Sequence, residues 1–195
     1  MNWRNLAFLA IVGFGAWQYW SDRPVKVAPG VTVAAEPRQN DAASAEFVHK
    51  GYTIAPLQTF DIEARVLGVK SYRTGREADL SPVDLALGWG RMSDSAVLEQ
   101  VSISQGNRFY FWRVKEFPIP REEIERSSAN MHMIPADSGI ERRLDQVREG
   151  QRVRIQGWLV EARGHDGWRW RSSLTRNDTG AGACEVIYVR DIAIL

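Results

Sequence analysis

An apolar block opens the chain, and alternation follows it. Residues 6–20, LAFLAIVGFGAWQYW, are apolar but for Gln18, with Arg4 ahead and Asp22, Arg23 and Lys26 behind. A bilayer span needs about 17–25 apolar residues; counting Trp3 and Asn5, this run just reaches the lower bound. A cleaved signal peptide is the alternative. Trp17, Tyr19 and Trp20 stand against it, because they occupy the place where small residues are needed for cleavage. With Trp3 they bracket the run as interfacial aromatics do. The pattern predicts one uncleaved transmembrane helix over residues 1–21. Basic residues on its two flanks nearly balance, so orientation rests on the short N-terminal tail, which fits a signal anchor with the folded mass exported.

From 22 to 46 the amphipathic period disappears. Pro24, Pro29, Pro37 and many Ala residues mark a flexible linker. Beyond it, 47–195 reads as one globular domain. Phe60, Ile62, Ala64 and Val66 alternate with Asp61, Glu63 and Arg65, the period of a half-buried strand. Ser81-Pro82-Val83-Asp84 has the form of a helix start that ends at Gly88. Val97–Ser104 and Arg108–Val114 predict a hairpin around Gln105-Gly106-Asn107. Helical stretches are predicted over Pro120–Ser127 and from Ser138, where Ile140, Leu144 and Val147 form one apolar stripe. The last third returns to strands: Val153–Ala162, Trp168–Thr175 and Cys184–Ile194, with a small-residue loop from Asn177 to Ala183.

Strands dominate and short helices separate them. The fold class is therefore mostly β (α+β): a small barrel or sandwich with helical insertions, preceded by the transmembrane helix. The segment GQRVRIQGWLVEA, Gly150–Ala162, resembles the long bent first strand of OB-like barrels.

Composition then narrows the chemistry. The chain has 195 residues, with 25 basic against 24 acidic side chains and a net charge of +1. That balance argues against nucleic-acid binding, including single-stranded binding by an OB-like barrel. One Cys excludes an internal disulfide framework and any multi-cysteine metal site. No zincin, Walker, nucleophile-elbow or EF-hand pattern occurs. No cofactor and no metal site is expected.

Three groups of residues remain as candidates. Trp168-Arg169-Trp170-Arg171, with Arg176, would put two indoles on one face of a strand and two guanidiniums on the other. Such a face stacks on a sugar or base and pairs with an anion, and Trp89 and Arg113 are candidate contributors. The competing reading makes the Trp face core and pairs the arginines with Glu161, Glu185 and Asp191. Met131-His132-Met133 offers soft ligands, but an extended chain turns His132 away from both methionines, which suit a core better. Cys184 with His132 would make a cysteine hydrolase, against the plainer reading of a buried thiol.

The strings SPVDLALGWG, SANMHMIPA and WRWRSSLTRNDTGAGACEV resemble those of uncharacterised membrane-anchored bacterial proteins of no assigned function. The resemblance implies an anchor-plus-body architecture at the bacterial inner membrane, with the body periplasmic. The leading functional expectation is a non-catalytic envelope domain for binding or assembly. It would meet a protein, glycan or anionic ligand through its Trp/Arg face. The alternatives are the Cys184/His132 hydrolase and the OB-like nucleic-acid binder.

Overall fold

The computed structural model describes residues 2–21, 23–175 and 184–195. It begins with helix α1, Trp3–Ser21. Among the described residues no helix is both long and apolar enough to cross a membrane. The reason lies in the polar ends: Arg4, Asn5 and Gln18 leave Leu6–Trp17 as the continuous apolar part. At 1.5 Å per residue that part reaches about 18 Å, against a hydrocarbon layer of about 30 Å. Phe8 and Ile11 are nonetheless 66% and 70% exposed.

The body is a mostly-β arrangement of one eight-stranded sheet and one two-stranded sheet. Strand β1, Arg38–Asp41, and β2, Phe47–His49, both pair with the long β3, Tyr52–Ser71. A short helix α2, Arg76–Leu80, leads into β4, Val83–Gly88. After a 3-10 turn at Gly90–Ser93 and helix α3, Ser95–Leu98, come β5, Val101–Gly106, and β6, Phe109–Val114. Helix α4, Arg121–Arg126, precedes β7, Ser128–Pro135, and α5, Ser138–Leu144, precedes β8, Arg152–Arg163. Strands β9, Arg169–Arg171, and β10, Glu185–Ile194, complete the chain.

Pairing runs β3–β4–β7–β10–β8, and β8 returns to pair with β3. Strand β3 can serve two neighbours because it is long and irregular. Thr53–Arg65 lie against β8 and Arg65–Ser71 against β4, with register shifts near Pro56 and near Val66. All these pairings are antiparallel except β7 with β10. Phe60, Ile62, Val83, Leu85, Met131, Met133, Val153, Ile155, Ile187 and Val189 meet in one core, with Ile140 and Leu144 of α5 packed among them. The predicted apolar stripe of α5 is thus its core contact, although Asp137 rather than Ser138 caps it, accepting from Gly139 N–H at 2.7 Å and Ile140 N–H at 2.9 Å.

Three expectations change. The helix predicted from Ser81 is strand β4, with all six residues buried. Its Val83, Leu85 and Leu87 enter the core while Ala86 packs under the β5–β6 hairpin, so burial on both faces outweighs the local capping signal. Gly150–Ala162 is not a first strand; it forms most of β8, and the long bent strand is β3. The stretch 22–46 is not a free linker over its length. Val25 N–H donates to Glu149 O at 2.8 Å, Ser95 Oγ donates to Val27 O at 2.6 Å, and Gly90 N–H donates to Val33 O at 2.8 Å. Val33 is buried, and β1 lies at the edge of the sheet. A chain rich in Pro and Ala brings few side chains of its own, so Ser93, Ser95 and β3 satisfy its backbone.

Candidate functional site

Alternation on β7 puts Met131 and Met133 into the core and turns His132, Asn130 and Ile134 to the opposite face. On that face β4 contributes Asp84, whose Cα partner in the ladder is His132. The Asp84 side chain is 0% exposed. Its Oδ1 lies 2.6 Å from Arg108 Nη1 and 2.9 Å from His132 Nδ1. The first contact is a charge-assisted hydrogen bond; the second is proximity without hydrogen-bond alignment. Asn130 Nδ2 approaches Oδ2 at 3.4 Å, and Gln105 Nε2 donates to Asn130 Oδ1 at 2.7 Å.

Arg108 reaches this carboxylate from the tip of the β5–β6 hairpin. Gly106 faces Phe109 across the ladder, so the loop is Asn107-Arg108, one residue beyond the predicted turn. Both loop residues have positive φ, 51° and 68°, as a type I′ turn demands. Glycine is the favoured second residue of such a turn, and arginine there is strained. Four bonds hold it: Nη1 to Asp84, Nη2 to Ser81 O at 2.9 Å, its N–H to Tyr72 Oη at 3.0 Å, and Asn130 Nδ2 to its O at 3.0 Å. Its guanidinium also stacks 3.8 Å from the Tyr72 ring centroid. Burial, reinforced by the Asp84 charge, lifts the Tyr72 phenol above its ordinary pKa despite the Arg108 contacts.

An aromatic strip continues from this cluster. The ring centroids of His132 and Trp170 are 4.8 Å apart, those of Trp170 and Trp168 6.1 Å, and those of Trp168 and Tyr52 5.4 Å. Arg108 lies 5.7 Å from the Trp170 ring and Arg76 5.4 Å from the Trp168 ring. Both indoles are half-buried. Arg169 and Arg171 clamp the buried Glu161 between them, with Arg169 Nε at 2.8 Å and Arg171 Nη1 at 2.7 Å. Burial pushes the Glu161 carboxyl up, but hydrogen bonds from the two guanidiniums outweigh it and hold its pKa below the ordinary glutamate value.

The candidate residues therefore divide. Trp168, Trp170 and His132 share the strip, and Arg169 and Arg171 flank it through Glu161. Cys184, half-buried at the start of β10, adjoins the cluster: its Sγ lies 3.9 Å from Arg108 O. Trp89 is 1% exposed in the inner core, where it presents no surface to a ligand. It follows β4 directly, and burial of its large ring outweighs any surface role. Arg113 points outward from β6 with Phe109 and Phe111, away from the face that packs on the body. Arg176 lies outside the described residues. Among those residues no group of three or more His, Cys, Asp or Glu side chains is placed to hold a metal ion.

Asp84, Arg108, Asn130 and Tyr72 are the members that local pattern did not assign to this site. Read as an alternating strand, Val83-Asp84-Leu85-Ala86-Leu87 puts Asp84 opposite the leucines, and that was the available signal. Comparisons with known protein families, with curated proteins and with solved structures find no match.

Proposed function

We propose that the chain is a non-catalytic binding or assembly module of the bacterial envelope. In this reading α1 holds it at the inner membrane and the β body stands on the periplasmic side. The apolar, exposed side chains of α1 support attachment. The body is read as an OB-type barrel made of β3, β4, β7, β10 and β8, as its order of pairing and its single parallel pair suggest. Such barrels take ligands on the face of their second and third strands, between the first–second and fourth–fifth strand connections. Here the face of those strands, β4 and β7, is covered by the β5–β6 hairpin, so the reading rests on the connections, which contain Tyr72, Arg76, Trp168 and Trp170.

One observation carries the proposal: the strip of Tyr52, Trp168 and Trp170 with guanidiniums over both indoles lies at that place. Stacked Arg–indole pairs present a flat, cationic, partly apolar surface to an anionic partner, protein or glycan. A photo-crosslinking amino acid at Trp168 or Trp170, in cells, should give envelope adducts that the same residue at Lys70 does not. Absence of adducts at both positions overturns the proposal. The Cys184/His132 hydrolase is favoured only by the carboxylate beside His132, and the 3% exposure of that side chain opposes it. An OB-like nucleic-acid binder retains only the topology in its favour, against a net charge of +1.

A further inference from the structure

The β5–β6 hairpin buries one face and leaves the other bare. Ile103, Tyr110, Trp112 and Val114 pack toward the body, so Ser102, Ser104, Phe109, Phe111 and Arg113 turn outward. All five are exposed, Phe109 at 42% and Phe111 at 52%. A water-facing strand face ordinarily carries polar side chains; here two phenyl rings stand side by side, their centroids 6.3 Å apart. We propose that this face lies against the surface of a lipid bilayer, as a second membrane contact of the chain beside α1. The inference rests on the reading of α1 as the membrane attachment.

Position is the first argument. Residues 25–33 are seated on the body, and Val25 lines a small cleft together with Leu98, Val101 and Ile103. The chain therefore enters the body beside the base of the hairpin, where Val101 pairs with Val114. Helix α1 ends at Ser21, four positions before Val25. Four residues span at most about 14 Å. A bilayer that takes up the exposed apolar side chains of α1 is thus brought within reach of the hairpin.

Chemistry is the second argument. The outward face carries no carboxylate, so laying it on lipid takes no acid out of water. Ser102 and Ser104 are small, and the Arg113 stem can lie along the apolar surface while its head reaches phosphate oxygens. At the base, Lys115 accompanies Arg113, but Glu99 and Glu116 line the same cleft, so charge balances there. The rings rather than lipid charge drive the contact, and a net-neutral lipid suffices.

Size separates lipid from protein. Six residues on each of two strands cover about 20 Å by 10 Å, an area of about 200 Å². A stable protein interface takes about 800 Å² from each partner. The face is too small to hold a protein by itself. On a membrane it does not act alone, because α1 keeps it at a high effective concentration.

The test reconstitutes the full chain in phosphatidylcholine vesicles, with an NBD-bearing amino acid placed by codon suppression at Ser104, Gly13 or Val48. Ser104 is on the outward face, Gly13 is in α1 where an added side chain meets nothing, and Val48 is exposed on β2. Lipid with a doxyl group high on its acyl chain should quench the Ser104 and Gly13 labels at least twofold and spare the Val48 label. Phe109→Thr with Phe111→Thr, which keeps strand propensity, should abolish quenching at Ser104 and leave it at Gly13, with unchanged circular dichroism. Quenching at Gly13 without quenching at Ser104 overturns the inference and leaves attachment by α1 standing. Quenching at Ser104 that survives the double variant, or that only equals quenching at Val48, overturns it as well. Energy transfer between Ser104-labelled copies in place of lipid quenching means that a second copy covers the face, and overturns it too. No quenching at Gly13 or Ser104 overturns both readings.

Discussion

Arg108 is where the structure makes its sharpest energetic claim. Truncating it to Ala removes the aligned partner of an Asp84 side chain that is 0% exposed, and leaves the positive φ of 68° in place. Breaking a buried ion pair from one side costs about 3–5 kcal/mol, because the remaining charge stays desolvated. Arg108→Gly breaks the same pair but relieves the turn, which recovers about 1 kcal/mol. For a body of this size, about 2–4 °C per kcal/mol puts the fall in melting temperature near 10 °C for Ala and a few degrees less for Gly. Replacing both partners, Asp84→Asn with Arg108→Gly, removes the orphaned charge. The double variant should therefore lose clearly less than the two single losses summed. Thermal unfolding followed by circular dichroism at neutral pH measures the parent, Arg108→Ala, Arg108→Gly, Asp84→Asn and the double variant. If Arg108→Ala and Arg108→Gly melt together, the strained turn contributes nothing. If the two single losses simply add, Asp84 and Arg108 are not coupled, and the central cluster is misread.

Glu161 predicts an acid limb. Its pKa is lower folded than unfolded, so the stability it contributes is full above its ordinary value of 4.5 and is lost as pH falls through the folded value. Urea midpoints should decline below about pH 4.5, and Glu161→Gln should flatten that decline; an unchanged slope would count against the double-arginine clamp. Tyr110, whose phenol donates to Ser128 Oγ at 3.0 Å, is pushed up to about 12 by burial. Its contribution is present below its ordinary pKa of 10.0 and lost as pH rises toward 12, so Tyr110→Phe should resist alkaline unfolding better than the parent. Spectrophotometric titration showing every tyrosine ionising near pH 10 would refute this. Trp89→Ala should cost about 3–5 kcal/mol as a core cavity, while Arg113→Ala stays within about 0.5 kcal/mol; similar denaturation midpoints for the two would contradict their placement.

The sequence by itself determined the elements whose signal is local. Alternation at 60–66 belongs to β3, the two runs around Gly106 are the β5–β6 hairpin, and Ile140 and Leu144 do form the buried stripe of α5. Composition excluded a disulfide framework, and alternation turned Met131 and Met133 inward with His132 opposite. Only the tertiary structure decided the rest. Strand β4 lies between β3 and β7 and is covered on both faces, which no window around Ser81 records. Residues 25–33 have partners in Ser93, Ser95 and Glu149, 60 or more positions away, so a composition that reads as linker still becomes seated chain. The polar cluster has the same origin. Asp84 meets Arg108 across 24 positions and Asn130 across 46, because a hairpin tip folds back over the outer face of the sheet. A lone carboxylate and a lone arginine carry no pattern along the chain. Pairing of distant strands brings them together, and burial then makes their contact strong.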